Sequence, residues 1–183
     1  MQLWRKIESA TSRAKVSAVN MPDKSNTKNR YSQLNYLINL LIELLSIQLI
    51  KVNNKSMEPA IGDGSWVVSV RAGFRRREPR RFDVVRLEEP GLSGHWILKR
   101  IVGLPGEQVS LREGDLYVDD LAIADSFAYC PDAATDNYSW WLRDDEYVVL
   151  GDNRQPSIDT RKFGVVSRSS LRGRIYTLRG HIY

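Results

Sequence analysis

The hydrophobic pattern of the chain changes twice, and each change predicts a different kind of structure. Residues 1–33 are polar, and a continuous apolar run, LNYLINLLIELLSIQLI, follows over residues 34–50. This run lacks glycine and proline and is rich in leucine, so we predict a helix over residues 34–50. At 1.5 Å per residue the 17 residues would span roughly 25 Å, slightly less than the ~30 Å hydrocarbon layer of a membrane.

The polar residues of this segment recur every three or four positions and would form one narrow stripe along the helix. They are Asn35, Asn39, Glu43 and Ser46. Three arrangements stay open for such a helix: a transmembrane anchor, an amphipathic helix in the membrane plane, and a helix packed on a soluble core. The basic residues before the helix favour the two membrane-bound arrangements. Of these we predict a single N-terminal membrane anchor, with residues 51–183 on the non-cytoplasmic side.

After residue 51 the pattern becomes one of short runs rich in Val, Ile, Tyr and Trp, separated by turns that contain Gly, Pro or Asp. Examples are SWVVSVR, FDVVRL, WILKRIVGL and EYVVLGD. Such runs are typical of short strands, so we predict that residues 51–183 form a mainly β domain. Periodicity is weak over residues 119–145, which indicates a loop-rich insertion, and we place a small subdomain at about residues 105–145.

The composition restricts the possible classes of function and site more than it restricts the fold class. The chain has 183 residues, of which 42% are hydrophobic and 27% charged, with a formal net charge of +5. Residues 1–33 carry seven basic and two acidic side chains, so they account for the whole excess and indicate an anionic neighbour. The single cysteine, Cys130, excludes an internal disulfide, and with only His95 and His181 we expect neither a metal nor another cofactor.

A second basic run, RAGFRRREPRRF, spans residues 71–82. Its simplest interpretation is a solvated loop between two strands, and the alternative is a contact with anionic lipid headgroups. No aromatic-rich RNA motif or DNA-reading helix accompanies these arginines, so nucleic acid is not an expected partner.

Candidate chemistry begins at the segment NNKSMEPAIGDG, residues 53–64, where Ser56 is either a turn residue or a nucleophile. A serine hydroxyl needs a neighbouring base, and neither histidine is well placed to serve as one. Lys99 is a better candidate because it lies in the apolar run HWILKRIVGL, where burial would lower its pKa towards neutrality. In a strand, Lys99 and Arg100 point to opposite faces, so one can be buried while the other reaches solvent.

A third segment, GDNRQPSIDTRKFGVV at residues 151–166, packs more Gly, Asp, Ser and Arg into one stretch than a turn requires. Together with SMEPAIGDG and LKRIVGLPGE it resembles, in the same order, the three sequence motifs of the type I signal peptidase family. The resemblance covers about residues 34–176. It implies a signal-peptidase-like coiled β-sheet domain, preceded by one N-terminal hydrophobic helix.

The resemblance also implies roles for individual residues. Ser56 would be the nucleophile, Lys99 the general base, and Ser157 a hydrogen-bond partner that orients the lysine amine. Asn54 stands where the family often has a hydroxyl that helps to form the oxyanion hole, and its side-chain NH₂ group could donate the same hydrogen bond. Other residues of the motifs would support the site structurally: Met57, Pro59, Asp152, Asp159 and Arg161, the last two as an ion pair.

The implied function is that of a membrane-associated serine endopeptidase that removes N-terminal signal peptides from exported preproteins. Its partners would be preproteins with small residues at P1 and P3, bound as an extended strand, and the lipid bilayer. Two alternatives share the serine and the lysine: a soluble maturation protease dedicated to one protein, and a LexA-like self-cleaving regulator. The regulator is disfavoured because the only Ala-Gly bond, Ala72-Gly73, follows Ser56 in the chain. A non-enzymatic lipid-binding module would leave the three motifs unexplained.

Overall fold

The computed structural model describes residues 33–38, 41, 46–74, 77–129 and 137–177. The chain divides into two units, residues 1–38 and 39–183. Only residues 33–38 of the first unit are described, and they are helical, as is residue 41. Within these described ranges, no helix has both the length and the apolar character that crossing a membrane requires.

The second unit is mainly β, which confirms the predicted fold class. Eleven strands lie within the described residues: β1 Ile47–Lys51, β2 Trp66–Val70, β3 Val84–Glu88, β4 Trp96–Gly103, β5 Gln108–Arg112, β6 Asp115–Val118, β7 Leu121–Ile123, β8 Tyr138–Trp141, β9 Glu146–Leu150, β10 Val166–Ser167 and β11 Leu171–Thr177. One short helix, α1 (Thr160–Phe163), follows β9, and two single 3₁₀ turns cover Arg71–Phe74 and Arg168–Ser170.

The strands form two antiparallel sheets. The larger sheet has the order β1-β2-β11-β3-β4-β9-β10, and the smaller one has the order β7-β6-β5-β8. β1 lies at an edge of the larger sheet, and β9 pairs only with the second half of β4, from Arg100 onwards. Among the described residues, therefore, β1 and the first half of β4 each have one backbone edge without a strand partner.

The range 119–145, in which the sequence pattern indicated a loop-rich insertion, contains two strands of the smaller sheet, β7 and β8, among its described residues. Two-residue turns, Glu113-Gly114 and Asp119-Asp120, connect β5 to β6 and β6 to β7, and φ is positive at all four turn residues. This is the type I′ geometry that suits a tight hairpin, and Gly and Asp tolerate it well. The region is thus more regular than expected, because strands of three and four residues such as β7 and β8 are too short to show a clear alternation.

Buried apolar side chains form three clusters, and one of them lies beside the candidate nucleophile. Its members come from the loop that carries Ser56 and from strands β2, β3, β4 and β11: Val52, Met57, Ile61, Val67, Val84, Leu98 and Ile175. Burying an apolar side chain of this size contributes about 1.5–3 kcal/mol. Since Val52 and Met57 flank Ser56, the cluster anchors this loop on both sides of the serine.

The predicted helix over residues 34–50 is wrong at its C-terminal end. Ile47 to Ile50 belong to β1, which pairs with β2 from Ile47↔Val70 to Lys51↔Trp66. Leucine and isoleucine occur in helices and strands alike, so the apolar run did not show where the helix ends and the strand begins. Between positions 34 and 45, the structure describes residues 34–38 and 41, which are helical. The other positions of this segment lie outside the described residues, as do residues 1–32 of the basic tail.

Candidate active site

The hydroxyl of Ser56 and the amine of Lys99 meet in the interior, although 43 positions separate them in the chain. Ser56 lies in the loop after β1, and Lys99 lies in the middle of β4. Lys99 Nζ donates a hydrogen bond of 2.8 Å to Ser56 Oγ, and only 6% of Ser56 and 2% of Lys99 are exposed. The fold thus brings the two residues singled out from separate motifs into direct contact.

Burial lowers the pKa of Lys99 from its ordinary value of 10.5 to about 8. The loss of hydration is the largest cause, and the positive charge of Arg161 acts in the same direction. Three carboxylates oppose this shift and keep the pKa from falling further: Asp159, Glu89 and Asp152. An amine with this pKa is partly neutral near physiological pH, and a neutral amine can take the proton of a serine hydroxyl.

Asn54 contacts Ser56, but as an acceptor and not as a donor. Its Oδ1 atom accepts a hydrogen bond of 3.1 Å from the backbone N–H of Ser56 and another of 2.9 Å from the Ser56 hydroxyl. A backbone N–H can only donate, so the carbonyl oxygen of Asn54 must be the atom that faces Ser56. This differs from the expected geometry, in which the NH₂ group of Asn54 would point into an oxyanion hole.

These contacts set the direction of hydrogen bonding at Ser56. The single hydroxyl proton of Ser56 points to Asn54, so Lys99 is the donor in its own contact with the same hydroxyl. If Lys99 is the base, transfer of the Ser56 proton to it would require the hydroxyl to turn away from Asn54.

The segment that follows β9 packs directly against the serine loop. Asn153 donates its backbone N–H to the carbonyl oxygen of Ser56 at 3.1 Å. At Gly151 an added Cβ atom would lie 2.6 Å from the same carbonyl oxygen and 2.2 Å from Ser157 Oγ. Both distances are shorter than a van der Waals contact, so only glycine allows this close approach of the backbone.

Asp159 links the same segment to α1. It is fully buried, caps α1 by accepting the backbone N–H of Arg161, and accepts the backbone N–H of Gly151 at 3.0 Å. The Arg161 guanidinium donates to both carboxylate oxygens, at 2.8 Å each. Burial by itself raises the pKa of Asp159, but the hydrogen bond and charge of Arg161 outweigh burial and leave the pKa below its usual value. Asp159 is therefore held as a carboxylate.

Ser157 is buried near these residues, yet it makes no hydrogen bond to Lys99. Its hydroxyl contributes to the lowered pKa of Asp159, but within the described part of the chain its Oγ atom has no hydrogen-bond partner of standard geometry. The predicted orienting hydrogen bond between Ser157 and the lysine amine is thus not present in this structure, and the role of Ser157 stays a prediction.

Asp152 and Arg100 form a second buried ion pair, which the sequence pattern did not indicate. Arg100 donates to the two carboxylate oxygens at 2.8 and 2.7 Å, and only 1% of Arg100 and 2% of Asp152 are exposed. It also donates to the carbonyl oxygen of Phe82 at 2.8 Å and stacks on the ring of Phe127 at 3.7 Å. Burial raises the pKa of Asp152, with Arg100 acting against the increase. Both faces of β4 are covered, so Lys99 and Arg100 are both buried. The expectation that one of the two would reach solvent is therefore wrong.

The two other residues predicted near the site lie in the serine loop. Met57 is fully buried in the apolar cluster, and its carbonyl oxygen accepts the backbone N–H of Ile61 at 2.8 Å. Pro59 is exposed in the turn between them. Met57 thus holds the backbone next to Ser56, and Pro59 is further from the core.

Comparison with known protein families shows to which family this chain belongs. A family model described as signal peptidase, peptidase S26, matches residues 31–178. The chain belongs to the signal peptidase family. The family that the three motifs resemble is thereby confirmed.

Individual members of the signal peptidase family show how far the similarity extends. A probable signal peptidase I-2 from Synechocystis sp. is 31% identical over 134 residues, which are 68% of this chain and 59% of that protein. Signal peptidase I V from Bacillus subtilis is 30% identical over 139 residues, which are 67% of this chain and 80% of that protein. A solved signal peptidase I from Enterococcus faecalis V583 has 28% identity and a TM-score of 0.49, and covers 55% of this chain and 98% of its own. The chain therefore spans somewhat over half the length of the cyanobacterial relative.

In this signal peptidase family member, one further contact holds the 151–166 segment in place. Arg154 forms a buried ion pair with Asp125 and donates to the carbonyl oxygen of Gly151 at 3.0 Å. The backbone of Tyr129 adds two hydrogen bonds, to Asp152 at 2.7 Å and from Arg154 at 3.0 Å. Asp125 lies in a stretch without periodicity, so no sequence signal marked it as part of the site.

Proposed function

We propose that this protein is a serine endopeptidase that removes N-terminal signal peptides from exported preproteins, with Ser56 as nucleophile and Lys99 as general base. The observation that carries the proposal is the 2.8 Å contact between Lys99 Nζ and Ser56 Oγ in a buried site. The lowered pKa of Lys99, about 8, supports it because a base must be unprotonated to act. The names of the relatives, which are signal peptidases, support the substrate class.

The reaction would proceed through an acyl-enzyme. The substrate displaces Asn54, so that the scissile carbonyl oxygen accepts the backbone N–H of Ser56 in its place. Neutral Lys99 takes the hydroxyl proton as Ser56 Oγ attacks the carbonyl carbon, and it gives this proton to the leaving amine. A water molecule then attacks the ester and passes a proton to Lys99. The released Ser56 oxygen takes that proton back, which restores the free site.

The substrate would bind as an added strand. β1 is an edge strand, and the first half of β4 has no partner on the side away from β3. Ser56 follows β1 and Lys99 lies at the end of the unpaired half of β4, so both open edges lead to the reacting groups. An extended peptide can pair its backbone with such edges. Small residues at P1 and P3 are part of the proposal, since the motif resemblance implies them.

We further propose that the protein works at a membrane, held by an N-terminal anchor with residues 51–183 on the non-cytoplasmic side. The described helical residues before β1 expose large apolar side chains: Leu34, Tyr36, Leu37, Ile38 and Leu41. The basic tail before them suits an anionic membrane surface. Confinement in one bilayer would raise the local concentration of preproteins that are tethered there.

The direct test is cleavage of a secretory preprotein by the purified full chain in detergent, beside the Ser56→Ala and Lys99→Ala variants. We expect the unmodified protein to cut after a small-x-small sequence, as shown by sequencing the new N-termini. Both substitutions should lower the rate at least about a thousandfold. Cleavage that survives Lys99→Ala would show that another group is the base. If the folded, unmodified protein does not cut, the substrate class is wrong and a dedicated maturation protease becomes the better assignment.

Membrane association is tested separately by fractionating cells that express the full chain and washing the membranes with alkaline carbonate. We expect the protein to stay in the pellet. Recovery in the supernatant before the wash would contradict the proposed localisation without touching the proposed chemistry.

A further inference from the structure

A cleft lined by arginines opens beside β3 and β11, and neither Ser56 nor Lys99 lines it. Its volume is about 290 Å³, close to the lower end of the range for small-molecule sites, about 300–1,000 Å³. The polar lining residues are Arg77, Arg80, Arg81, Arg174 and Asp83, and the others are Phe82, Val84, Phe127, Ile175 and Tyr176. We refer to this feature as the arginine cleft. It accounts for part of the basic run at residues 71–82, of which Arg75 and Arg76 lie outside the described residues.

The arginine cleft keeps a positive excess after its ion pairs are counted. Asp83 is shared by two guanidinium groups, with Arg77 at 3.0 Å and Arg174 at 2.9 Å. Arg81 pairs with Glu107 at 2.7 Å. Arg80 is exposed, and among the described residues only its backbone is engaged, by an N–H that donates to Asp83. Four cationic side chains therefore share two carboxylates.

Two buried donors of the arginine cleft have no acceptor. The Nε atoms of Arg77 and Arg174 are both buried, and neither has a hydrogen-bond partner among the described residues. Arg174 is only 5% exposed, so water does not readily reach its guanidinium. An Nε–H group can only donate, and a buried donor on a charged group is costly when it is unpaired. An anion with several acceptor oxygens would satisfy such donors.

We propose that the arginine cleft binds a phosphate group, carried either by an anionic phospholipid headgroup or by a soluble phosphate ester. Phosphate oxygens match the forked donors of guanidinium groups, and the net positive charge of the cleft attracts the anion. The apolar and aromatic walls suit the carbon-bearing part of an ester. This inference does not rest on the proposed peptidase activity, since binding can be measured without cleavage.

The sheet beside the cleft favours the lipid as the source of the phosphate. Tyr176 of the cleft is in register with Val68 of β2, and Val68 is in register with Leu49 of β1. Cross-strand partners share one face of a sheet, so these side chains form a continuous apolar row that leads away from the cleft. Leu49 is 58% exposed, at the end of this row. A phosphate in the cleft would thus lie next to a surface that suits the glycerol and acyl part of a phospholipid.

The test uses the full chain and two probes: phosphatidylcholine vesicles with and without phosphatidylglycerol, and glycerol 3-phosphate in solution. Arg80→Gln removes a guanidinium that lies in the cleft and forms no ion pair with the described residues, so the fold should persist. Arg143→Gln is the matched control, because Arg143 is an exposed arginine outside the cleft and its loss changes the net charge equally. Binding is measured by vesicle co-sedimentation and by calorimetry.

We expect Arg80→Gln to weaken binding to phosphatidylglycerol vesicles about tenfold, which is the usual loss for one charge-assisted hydrogen bond. Arg143→Gln should change the affinity less than about twofold. If glycerol 3-phosphate binding is sensitive to Arg80→Gln while binding to the phosphatidylglycerol vesicles is not, the phosphate site is supported and its ligand is a soluble ester. Equal losses in the two variants would overturn the proposal, because net charge would then explain the binding. The absence of binding to both probes would overturn it as well.

Discussion

Asn54 Oδ1 accepts hydrogen bonds from both the backbone N–H and the hydroxyl of Ser56, at 3.1 and 2.9 Å. Acylation would need the same two donors, the N–H for the developing oxyanion and the hydroxyl proton for Lys99. Asn54 would therefore compete with a substrate for Ser56. Its side chain is exposed, so it can turn away without opening the core.

This competition predicts an order of activities among substitutions of Asn54. Asn54→Asp should lower kcat/KM by at least about 100-fold, because a charged acceptor holds the N–H and the hydroxyl of Ser56 more tightly than the amide oxygen does. Asn54→Ala removes the competing acceptor without adding a charge, and we expect a change below about tenfold. Steady-state cleavage of a preprotein peptide measures both values. An Asp variant as active as the unmodified protein would show that Asn54 is not involved.

The rate of cleavage should rise with pH until about pH 8. Burial lowers the pKa of Lys99 to about 8, and only the neutral amine can take the serine proton. At lower pH the amine is charged, so kcat/KM should fall about tenfold per pH unit. Glu89→Gln removes a negative charge that raises this pKa and should therefore move the midpoint to lower pH. A profile that is flat between about pH 6 and 9 would contradict the role of Lys99 as the base.

Lys99 should also make the fold less stable at neutral pH. Its pKa is 10.5 in the absence of the fold and about 8 in the folded protein, so between these values the unfolded chain binds more protons and stability rises with pH. Below about pH 8 the whole cost of the buried charge is present. Lys99→Met should raise the free energy of unfolding at pH 7 by roughly 1–3 kcal/mol, while it abolishes cleavage.

Denaturant unfolding of the Lys99→Met variant at two pH values checks this expectation. The gain in stability should be largest at pH 7 and should shrink towards pH 10, where the lysine of the unmodified protein is mostly neutral. A variant that is less stable than the unmodified protein at pH 7 would mean that the buried amine does not destabilise the fold.

Removal of Arg100 should destabilise the fold strongly, because it leaves Asp152 buried without its counter-ion. We expect Arg100→Met to lower the free energy of unfolding by about 3–5 kcal/mol, and a second substitution, Asp152→Leu, to recover part of this loss. Arg112→Met is the control, since Arg112 pairs with Asp120 at the surface and should cost less than about 1 kcal/mol. Thermal or denaturant unfolding of the unmodified protein, of Arg100→Met, of Asp152→Leu and of the double variant gives the coupling energy. Additive effects of the two core substitutions would show that the pair is not coupled.

Gly151 should not tolerate a side chain. A Cβ atom there would lie 2.2 Å from Ser157 Oγ and 2.6 Å from the carbonyl oxygen of Ser56, so Gly151→Ala should displace the serine loop. We expect a loss of about 1–3 kcal/mol in stability and most of the activity. Gly62→Ala is the matched control, because its Cβ atom would lie 3.5 Å from Ser65 Oγ, an ordinary contact. If the two variants have the same stability and activity, the close packing at Gly151 does not matter for either property.

The pattern of residues along the chain was sufficient to predict the fold class and to select the candidate pair that the structure brings into contact. Short runs of β-branched and aromatic residues predict strands because the strand period is local, and the structure is mainly β after residue 46. Ser56 and Lys99 could be selected because each lies in a distinctive local context, a Gly-Asp turn and an apolar strand. The boundary between helix and β1 was missed, since Ile47 to Ile50 suit both structures and only pairing with β2 selects the strand.

Only the tertiary structure decided what surrounds Ser56 and Lys99. The coverage of both faces of β4 buries Arg100 beside Asp152, and no local pattern reports how many layers cover a strand. The direction in which Asn54 points depends on the Ser56 N–H that it meets, and the pKa of Lys99 depends on carboxylates that come from distant segments. The types of residue needed for the chemistry are therefore determined by the sequence. Their protonation and orientation come from burial and from contacts between residues that are far apart in the chain.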